Sequence, residues 1–252
     1  MIAGKRVLIT GASAGIGKSC AFKFAQFNPK EIILLSRRIE KLEIIKKDIQ
    51  ATYPNISVSC FSCDVQNQSN IDQVLEKSDC DILVNNAGLV IGVDHLKDVK
   101  AHEMDTMINT NIKGLVWVTQ AVLKKLLKKD FGHIINVGSI AGVEAYPGGS
   151  IYCATKHAVH AITKSLRFEL VATPIKVTEI LPGLVETEFS EVRFRNDKEK
   201  AKSVYKGLKP LVGDDVADAI TYCANTPAHV QIAELVIFPT SQASATFTHR
   251  TE

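Results

Sequence analysis

The segment TGASAGIG at residues 10–17 follows the apolar run Val7–Thr10 and opens a helical pattern that reaches Phe27. Glycine permits a sharp turn out of a strand, a close approach of backbone to a phosphate, and close packing of a helix on a sheet. The helix N-terminus that follows offers N–H groups to an anion. This order of strand, loop and helix predicts a dinucleotide site, although a tight turn without a ligand would use the same glycines. The loop residues expected to face the dinucleotide are Thr10, Gly11, Ser13, Gly15, Ile16 and Gly17.

The rest of the chain alternates short apolar runs with longer helical patterns. Strands are predicted at 7–10, 32–36, 56–61, 81–85, 133–137, 176–181 and 234–237. Helices are predicted at 15–27, 38–51, 69–77, 101–129, 152–171 and 214–224. Strands separated by helices of this length form βαβ units, and their near-continuous apolar character is typical of a sheet covered on both faces. The sequence therefore predicts an α/β fold, a Rossmann-like doubly wound parallel sheet in a single domain of residues 1–252. A polar segment at about 186–210 is expected to form a lid.

The composition is that of an ordinary globular protein. Thirty Lys and Arg against 27 Asp and Glu leave a net charge of +3, and 46% of the residues are hydrophobic. These values exclude a mainly disordered chain and a disulfide-dense miniature, and so small a charge gives no reason to expect nucleic acid. No run approaches the roughly 20 apolar residues of a membrane span, no signal peptide is apparent, and six scattered cysteines fit reduced thiols. We expect a cytoplasmic protein without a membrane partner.

Two pairs of residues resemble metal or redox sites. Cys60 and Cys63 stand three apart, and His157 and His160 are three apart in a helical pattern. Neither pair has the second set of ligands that a zinc site needs. No metal is predicted.

The end of the second predicted strand discriminates between cofactors. An NAD site carries Asp or Glu there, which binds the ribose 2′-hydroxyl. Here Arg37 and Arg38 follow Ser36 instead. Arginine forms paired hydrogen bonds with phosphate, and Ser13 adds a hydroxyl. The sequence favours NADP; the alternative is that both arginines are solvated residues at a helix start, where cations are mildly unfavourable.

A second motif overlaps the glycine loop. Ala12–Ser19 reads A-x-x-x-x-G-K-S, one residue away from the phosphate loop of NTPases. However, its first residue is Ala rather than Gly, and the strand at 81–85 ends in Asn rather than in an Asp that could hold Mg²⁺. An NTPase or nucleotide-binding regulator is the alternative from another class.

Over nearly its whole length the chain resembles the short-chain dehydrogenase/reductase family. The segments that carry the resemblance are TGASAGIG, Asp64-Val65, NNAG at 85–88, Asn111, Ser139, Tyr152-x3-Lys156, and Pro182-Gly183 followed by Thr187. Within the family, the stretches GSIAGVEAYPGGSIYCATK, PGLVETEFSEVRFR and ELVIFPTSQAS are most similar to the NADP-dependent 3-hydroxy acid dehydrogenases, the group that oxidises serine and L-allo-threonine.

The resemblance implies roles for residues outside the glycine loop. Asp64 and Val65 would lie against the adenine, and Asn86, Ala87 and Gly88 against the adenosine-side ribose, although NNAG could instead brace the sheet. The segment Pro182–Ser190 would bind the nicotinamide carboxamide and close over the cofactor, and its cofactor-binding residues would be Pro182, Gly183, Val185 and Thr187. Asn111 would anchor a water that relays a proton by way of Lys156, which would also hold the nicotinamide ribose. A homotetramer built on the helices at 101–129 and 152–171 is also implied.

The residues themselves agree with hydride-transfer chemistry. A carbonyl that accepts a hydride needs a proton donor at its oxygen. Tyr152 and Lys156 are four apart and share a helix face, and Ser139 follows a strand at its carboxyl end. The Lys156 ammonium, together with the positive nicotinamide, is expected to lower the pKa of Tyr152, while the Ser139 hydroxyl holds the substrate oxygen. A serine nucleophile is not predicted, since G-x-S-x-G is absent around Ser139.

The substrate of such an enzyme would carry a carboxylate, which must be held. Arg193 and Arg195 are the cations available in the predicted lid. We hypothesise that one of them binds the carboxylate; the alternative is that both form salt bridges within the lid. A carbonyl reductase acting on other aldehydes or ketones also stays open, because the pocket walls of this fold vary.

Overall fold

A computed structural model describes residues 1–251, which form nine strands and nine α-helices. The strands are β1 (Arg6–Thr10), β2 (Glu31–Ser36), β3 (Ser57–Ser62), β4 (Ile82–Asn85), β5 (Gly132–Val137), β6 (Ile175–Pro182), β7 (Val185–Glu186), β8 (Leu211–Val212) and β9 (Glu234–Ile237). The helices are α1 (Gly15–Ala25), α2 (Ile39–Thr52), α3 (Gln68–Glu76), α4 (Ala101–Ile108), α5 (Leu115–Leu126), α6 (Ser150–Glu169), α7 (Glu188–Arg193), α8 (Lys198–Ser203) and α9 (Gly213–Ala224).

Seven strands form one parallel sheet in the order β3-β2-β1-β4-β5-β6-β9. Because β1 lies between β2 and β4, the direction of winding reverses at β1. In open sheets of this kind, ligands bind outside the carboxyl ends of the strands at such a switch point. The predicted Rossmann-like, doubly wound fold in a single domain is confirmed.

The sheet is covered on both faces because its strands are apolar in both directions. Val7 and Ile9 of β1 pack with Phe24 of α1 in one cluster, which also includes residues of α2 and α9. Leu8, between them in sequence, packs with Val118 of α5 in a second cluster that includes residues of α3 and α6. Successive side chains of a strand point to opposite faces, so a single apolar run fills both cores. This packing fixes the strand ends on which the functional residues stand.

The helix predicted at 101–129 is made of three parts. A π-helical turn, Asn109–Gly114, joins α4 to α5 without breaking the helical path. Gly114 allows this helix to pack closely on the loop between β3 and α3, since a Cβ on this residue would lie 2.8 Å from the backbone oxygen of Val65. π-turns of this kind are frequent at functional sites.

The predicted lid is a small structural unit beside the sheet. Parallel pairing of β7 with β8 closes the two ends of the segment onto each other, and α7 and α8 lie between them. The carbonyl of Arg193 accepts a hydrogen bond of 2.8 Å from the Gly92 N–H, which ties the segment to the loop after β4. Residues 186–210 are called the lid segment below.

None of the helices formed by residues 1–251 is long and apolar enough to cross a membrane. All six cysteines are unpaired, and all but Cys60 are buried.

Candidate active site

One cavity of about 580 Å³ runs along the carboxyl ends of the central strands, from the glycine loop to Tyr152. Most of the predicted site residues line it: Gly11, Ser13, Gly15, Ile16, Arg37, Arg38, Asp64, Val65, Asn86, Ala87, Gly88, Ser139, Tyr152, Lys156, Pro182, Gly183, Val185, Thr187 and Arg193. Four predicted residues lie outside its wall: Thr10, Gly17, Asn111 and Arg195.

The glycine loop is shaped for close backbone approach. Gly11 and Gly15 have positive φ angles of 64° and 50°, which residues with a Cβ rarely adopt. A Cβ on Gly17 would lie 2.5 Å from the Gly11 carbonyl oxygen and 2.5 Å from Asn86 Nδ2. Gly17 therefore acts from behind the cavity wall, by letting α1 pack against the loop. Gly15 and Ile16, the first residues of α1, line the cavity, and the N-terminus of a helix suits an anion.

The NNAG stretch contacts both the central sheet and the wall of the cavity. The Asn85 side chain donates to Thr119 Oγ1 at 2.8 Å and to Asn136 Oδ1 at 2.9 Å, so it braces the sheet. Asn86 Nδ2 donates to the Thr10 carbonyl at 2.9 Å, while the Thr10 hydroxyl accepts from the Asn86 N–H at 3.0 Å. These bonds hold the following backbone, Ala87 and Gly88, at the cavity wall.

The two arginines after β2 have different surroundings. Arg37 is exposed at the cavity wall and has no ion-pair partner among residues 1–251. Arg38 donates from Nε and Nη2 to Ser13 Oγ at 3.1 and 2.9 Å, and from Nη1 to Glu188 Oε2 at 2.8 Å. Lys41 Nζ lies 3.0 Å from Glu188 Oε1. Glu188 reaches this cluster from the lid segment; the resemblance places it within the segment Pro182–Ser190 but gives it no role of its own.

The predicted catalytic residues meet at the far end of the cavity. Ser139 follows β5 and caps the single 3₁₀ turn Ile140–Gly142, its hydroxyl accepting from the Ala141 N–H at 3.1 Å. That turn packs closely on α6, because a Cβ on Gly142 would lie 2.8 Å from the Lys156 carbonyl oxygen. Tyr152 and Lys156 are both buried on the first turns of α6. The Lys156 ammonium donates to the Val137 carbonyl oxygen at 2.8 Å.

Burial dominates the proton affinities of this pair. Burial raises the pKa of Tyr152 well above its usual range, and the Arg193 cation and the Ser139 hydroxyl offset only part of that rise. Burial also lowers the pKa of Lys156 to about 8, against the attraction of Glu179. In the chain alone burial acts against ionisation of the phenol, and the expectation that Lys156 and the positive nicotinamide together lower the pKa of Tyr152 stays a prediction. A positive charge beside a desolvated phenol lowers its pKa.

Asn111 lies in the π-turn and its side chain is fully engaged by protein. Its Oδ1 accepts from the Leu89 N–H at 2.9 Å, and its Nδ2 donates to the Leu89 carbonyl at 2.8 Å and to Thr155 Oγ1 at 3.0 Å. The side chain thus fixes the loop after β4 to α6. The role of Asn111 in holding a water stays a prediction.

The lid segment separates the two arginines proposed for the substrate carboxylate. The Arg193 guanidinium carbon lies 5.7 Å from the centre of the Phe189 ring, and Arg193 has no carboxylate partner within 4 Å among residues 1–251. Arg195 points away from the cavity and is held by Glu103, with Nε–Oε1 at 2.7 Å, and by Asp94 at 2.5 Å. The hydrogen bond from Arg195 holds the pKa of the Glu103 carboxyl below its usual value. Of these two arginines, only Arg193 lines the cavity and is free of an acidic partner among residues 1–251.

Sequence reasoning missed several residues of this wall. Tyr146 Oη accepts a long hydrogen bond of 3.4 Å from Arg193, and Phe189 packs edge-on against Tyr152 with 5.8 Å between ring centres. Gln242 comes from near the C-terminus and accepts from the Leu184 N–H at 2.8 Å, which fixes the loop after β6. The available signal for Gln242 was its place in the stretch ELVIFPTSQAS. Tyr146 and Phe189 likewise lie in the quoted stretches GSIAGVEAYPGGSIYCATK and PGLVETEFSEVRFR, but nothing in the sequence singles out either residue.

The features that suggested other chemistries are used structurally. The Lys18 ammonium lies over the Phe22 ring at 6.0 Å, and Ser19 packs against Gly213 of α9, so neither faces the cavity as an NTPase would require. His160 Nδ1 lies 2.7 Å from the buried Glu179 Oε2. No group of three His, Cys, Asp or Glu in residues 1–251 could hold a metal.

Comparison with known proteins gives matches along the whole chain. The profile described as short chain dehydrogenase matches residues 5–198. The NADP-dependent 3-hydroxy acid dehydrogenase of Schizosaccharomyces pombe is 44% identical over 252 aligned positions, which cover 98% of this chain and 97% of that protein. Sulfoacetaldehyde reductase 2 of Chromohalobacter salexigens is 38% identical over 247 positions, covering 96% of each. The closed form of serine dehydrogenase complexed with NADP+ superimposes with a TM-score of 0.90 at 38% identity, covering 98% of this chain and 100% of that one.

Proposed function

The chain belongs to the short chain dehydrogenase family, and from that premise we propose that it is an NADP-dependent oxidoreductase of small 3-hydroxy acids. The reaction is the reversible transfer of a hydride between the 3-hydroxyl carbon of the acid and the cofactor. Serine, L-allo-threonine and 3-hydroxypropionate are the type substrates. The names of the relatives support this substrate class.

One observation carries the proposal. A single cavity has a glycine-rich helix N-terminus with two arginines at one end and Ser139, Tyr152 and Lys156 at the other. A protein that only binds nucleotides needs the first end and has no use for a buried tyrosine, serine and lysine at the second.

The cavity fits a phosphorylated dinucleotide. The loop residues with positive φ leave a cradle that a Cβ would fill, and the backbone of α1 offers N–H groups to a pyrophosphate. Arg37 and Arg38 place cations where a 2′-phosphate would lie. When bound, NADP supplies the hydride acceptor or donor, and its oxidised ring carries a positive charge.

The chain's own residues then handle the substrate and its proton. Ser139 holds the substrate oxygen by a hydrogen bond, and Tyr152 gives a proton to that oxygen in reduction or takes it in oxidation. Because burial keeps the phenol protonated, Tyr152 is poised as a donor, and ionisation depends on positive charge brought to the site. The Lys156 ammonium is held by the Val137 carbonyl oxygen and lies 6.0 Å from the centre of the Tyr152 ring.

Arg193 is the residue we propose for the substrate carboxylate. It enters the cavity from the lid segment and is free of acidic partners among residues 1–251. An unpaired guanidinium beside two aromatic rings binds a carboxylate with directional hydrogen bonds. We further propose that the lid segment closes over the bound ligands.

We also propose that the protein works as a cytoplasmic homotetramer. Six free thiols fit a reducing compartment. Phe168 and Val171, at and just after the end of α6, are 80% and 84% exposed, which fits a helix face covered by another subunit. Light scattering of the purified protein during size-exclusion chromatography tests the oligomer size.

The proposed activity is tested by absorbance at 340 nm when the protein is mixed with NADP or NAD and a panel of alcohols. We expect NADPH to form with serine, L-allo-threonine and 3-hydroxypropionate, and more slowly with neutral alcohols of the same length. Absence of turnover with every 3-hydroxy acid would overturn the substrate assignment.

A second candidate is reduction of a small aldehyde that carries a different anion. The similarity to a sulfoacetaldehyde reductase favours it, since Arg193 could hold a sulfonate as well as a carboxylate. Sulfoacetaldehyde with NADPH, added to the same panel, separates the two: this candidate requires the higher kcat/KM to belong to the sulfonate.

A further inference from the structure

Glu188 brings a carboxylate to the end of the cavity at which the residues directly after β2 are arginines. The end of β2 carries arginines, but the lid segment places the Glu188 side chain on the same cluster, with Oε2 at 2.8 Å from Arg38 Nη1 and Oε1 at 3.0 Å from Lys41 Nζ. Glu188 also lines the cavity. Each of its two oxygens thus pairs with one cation, as the oxygens of a bound phosphate would.

The cluster is organised around Arg38. Two edges of its guanidinium are used, one by Ser13 of the glycine loop and one by Glu188 of the lid segment. Ser36 donates to the same Ser13 oxygen at 2.8 Å. Although partial burial would raise it, hydrogen bonds from Arg38 and Lys41 hold the pKa of Glu188 below its usual value. A carboxylate is therefore charged here at neutral pH and neutralises part of the positive potential.

Two anions that share one set of cations weaken each other's binding. A 2′-phosphate brings about two negative charges next to cations that Glu188 already pairs. A 2′-hydroxyl brings no charge and can donate a hydrogen bond to a carboxylate, as it does to the acidic residue of NAD sites. Glu188 therefore weakens the binding of NADP relative to NAD, whereas Arg37 and Arg38 favour NADP.

We propose that Glu188 is a cofactor-specificity residue that moderates the preference for NADP over NAD from the lid segment. This rests on the proposed use of a nicotinamide dinucleotide. By reciprocity, a bound 2′-phosphate weakens the contact between Glu188 and Arg38.

The test is calorimetric titration of wild type, Glu188→Gln and Glu191→Gln with NADP, NAD and adenosine 2′,5′-bisphosphate. Glu191 lies on the same helix, carries the same charge, and is not at the cavity wall, so it is the matched control. We expect Glu188→Gln to bind NADP and the bisphosphate about 2- to 5-fold more tightly at low salt, in the range of a partly exposed ion pair. Its affinity for NAD should stay the same or fall.

Each result has a distinct meaning. An unchanged ratio of NADP to NAD affinity in Glu188→Gln, or the same increase in Glu191→Gln, overturns the role of Glu188 and leaves the proposed function standing. Weaker NADP binding in Glu188→Gln overturns it as well, because the carboxylate would then assist the phosphate. Failure of the wild type to bind either dinucleotide refutes the proposed function itself.

Discussion

The guanidinium of Arg193 lies 5.8 Å from the centre of the Tyr152 ring. It approaches from the lid segment, while the Lys156 ammonium lies 6.0 Å from the same ring on α6 and donates to the Val137 carbonyl. The buried phenol thus has two cations near it, from two parts of the chain. The cation on the lid segment belongs to the proposed substrate site, which couples binding of the substrate anion to the charge around the proton donor.

Replacing Tyr152 with Phe removes the proton donor and keeps the packing against Phe189. We expect kcat/KM to fall by about 10²- to 10⁴-fold, the usual contribution of a positioned acid or base. NADP affinity, measured by calorimetry, should change little. The comparison is Tyr222→Phe on α9, where the side chain is 65% exposed, and this variant should keep full activity. Full turnover by Tyr152→Phe would refute the assignment.

The sheet and the glycine loop could be predicted because their signals are local. Apolar runs, helical periodicity and glycines at 11, 15 and 17 lie within short windows, and each strand end then places a residue at the same edge of the sheet. Glu188 and Arg38 meet across 150 positions, so no local pattern announces their contact. Local pattern also could not separate Arg193 from Arg195, since the turn that directs Arg195 outward depends on a positive φ of 55° and on two distant carboxylates.

The proton affinities of the catalytic pair depend on burial, which sequence spacing does not reveal. Spacing places Tyr152 and Lys156 on one helix face, where the ammonium together with the positive nicotinamide is expected to lower the pKa of the phenol. In the fold both side chains lose their solvent, so the neutral form of each is favoured. Burial therefore opposes ionisation of the phenol, which the spacing of the two residues does not reveal.

Lys156 should give the protein a characteristic stability profile in alkaline solution. Its pKa is about 8 in the folded chain against an ordinary value of 10.5, so between these pH values the unfolded state binds more protons. The free energy of unfolding therefore gains up to about 1.4 kcal/mol per pH unit from this group as pH rises through that window. Urea unfolding of wild type and Lys156→Met at pH 7.5 to 10.5 measures the difference.

The comparison between the two proteins isolates Lys156 from other groups that titrate in the same range. The stability of the wild type relative to Lys156→Met should rise with pH. Lys47→Met on α2, where the lysine is exposed, should give parallel curves with the wild type. A constant difference between wild type and Lys156→Met would mean that the ammonium is not destabilised by burial.

His133 should contribute to acid unfolding. The Thr178 hydroxyl donates to the Ile232 carbonyl at 2.7 Å, so it accepts from His133 Nε2, and His133 Nδ1 has no partner among residues 1–251. Burial and the nearby Lys176 lower the pKa of His133 to about 3. Below pH 6.5 only the unfolded state gains the proton, so stability falls by up to about 1.4 kcal/mol per pH unit until pH 3.

Replacing His133 with Gln removes this titration and keeps an amide that can donate to Thr178. We expect the variant to lose less stability than the wild type between pH 6.5 and 4, measured as the urea midpoint. His102→Gln, at an exposed position of α4, should follow the wild-type curve. If His133→Gln loses stability as steeply as the wild type, other buried groups control acid unfolding.

Substitution of Arg193 should weaken substrate binding, whereas substitution of Arg195 should lower the stability of the protein. We expect Arg193→Ala to lower kcat/KM for serine and 3-hydroxypropionate by about 10- to 100-fold, mainly through KM, because a charged hydrogen bond to the carboxylate is lost. A neutral alcohol of similar size should lose much less, and that ratio separates substrate binding from the effect of the cation on Tyr152. Arg195→Ala should keep the ratio and lower the melting temperature, since Glu103 would be left buried and unpaired. Wild-type kcat/KM for the acids in both variants would show that the carboxylate is held elsewhere.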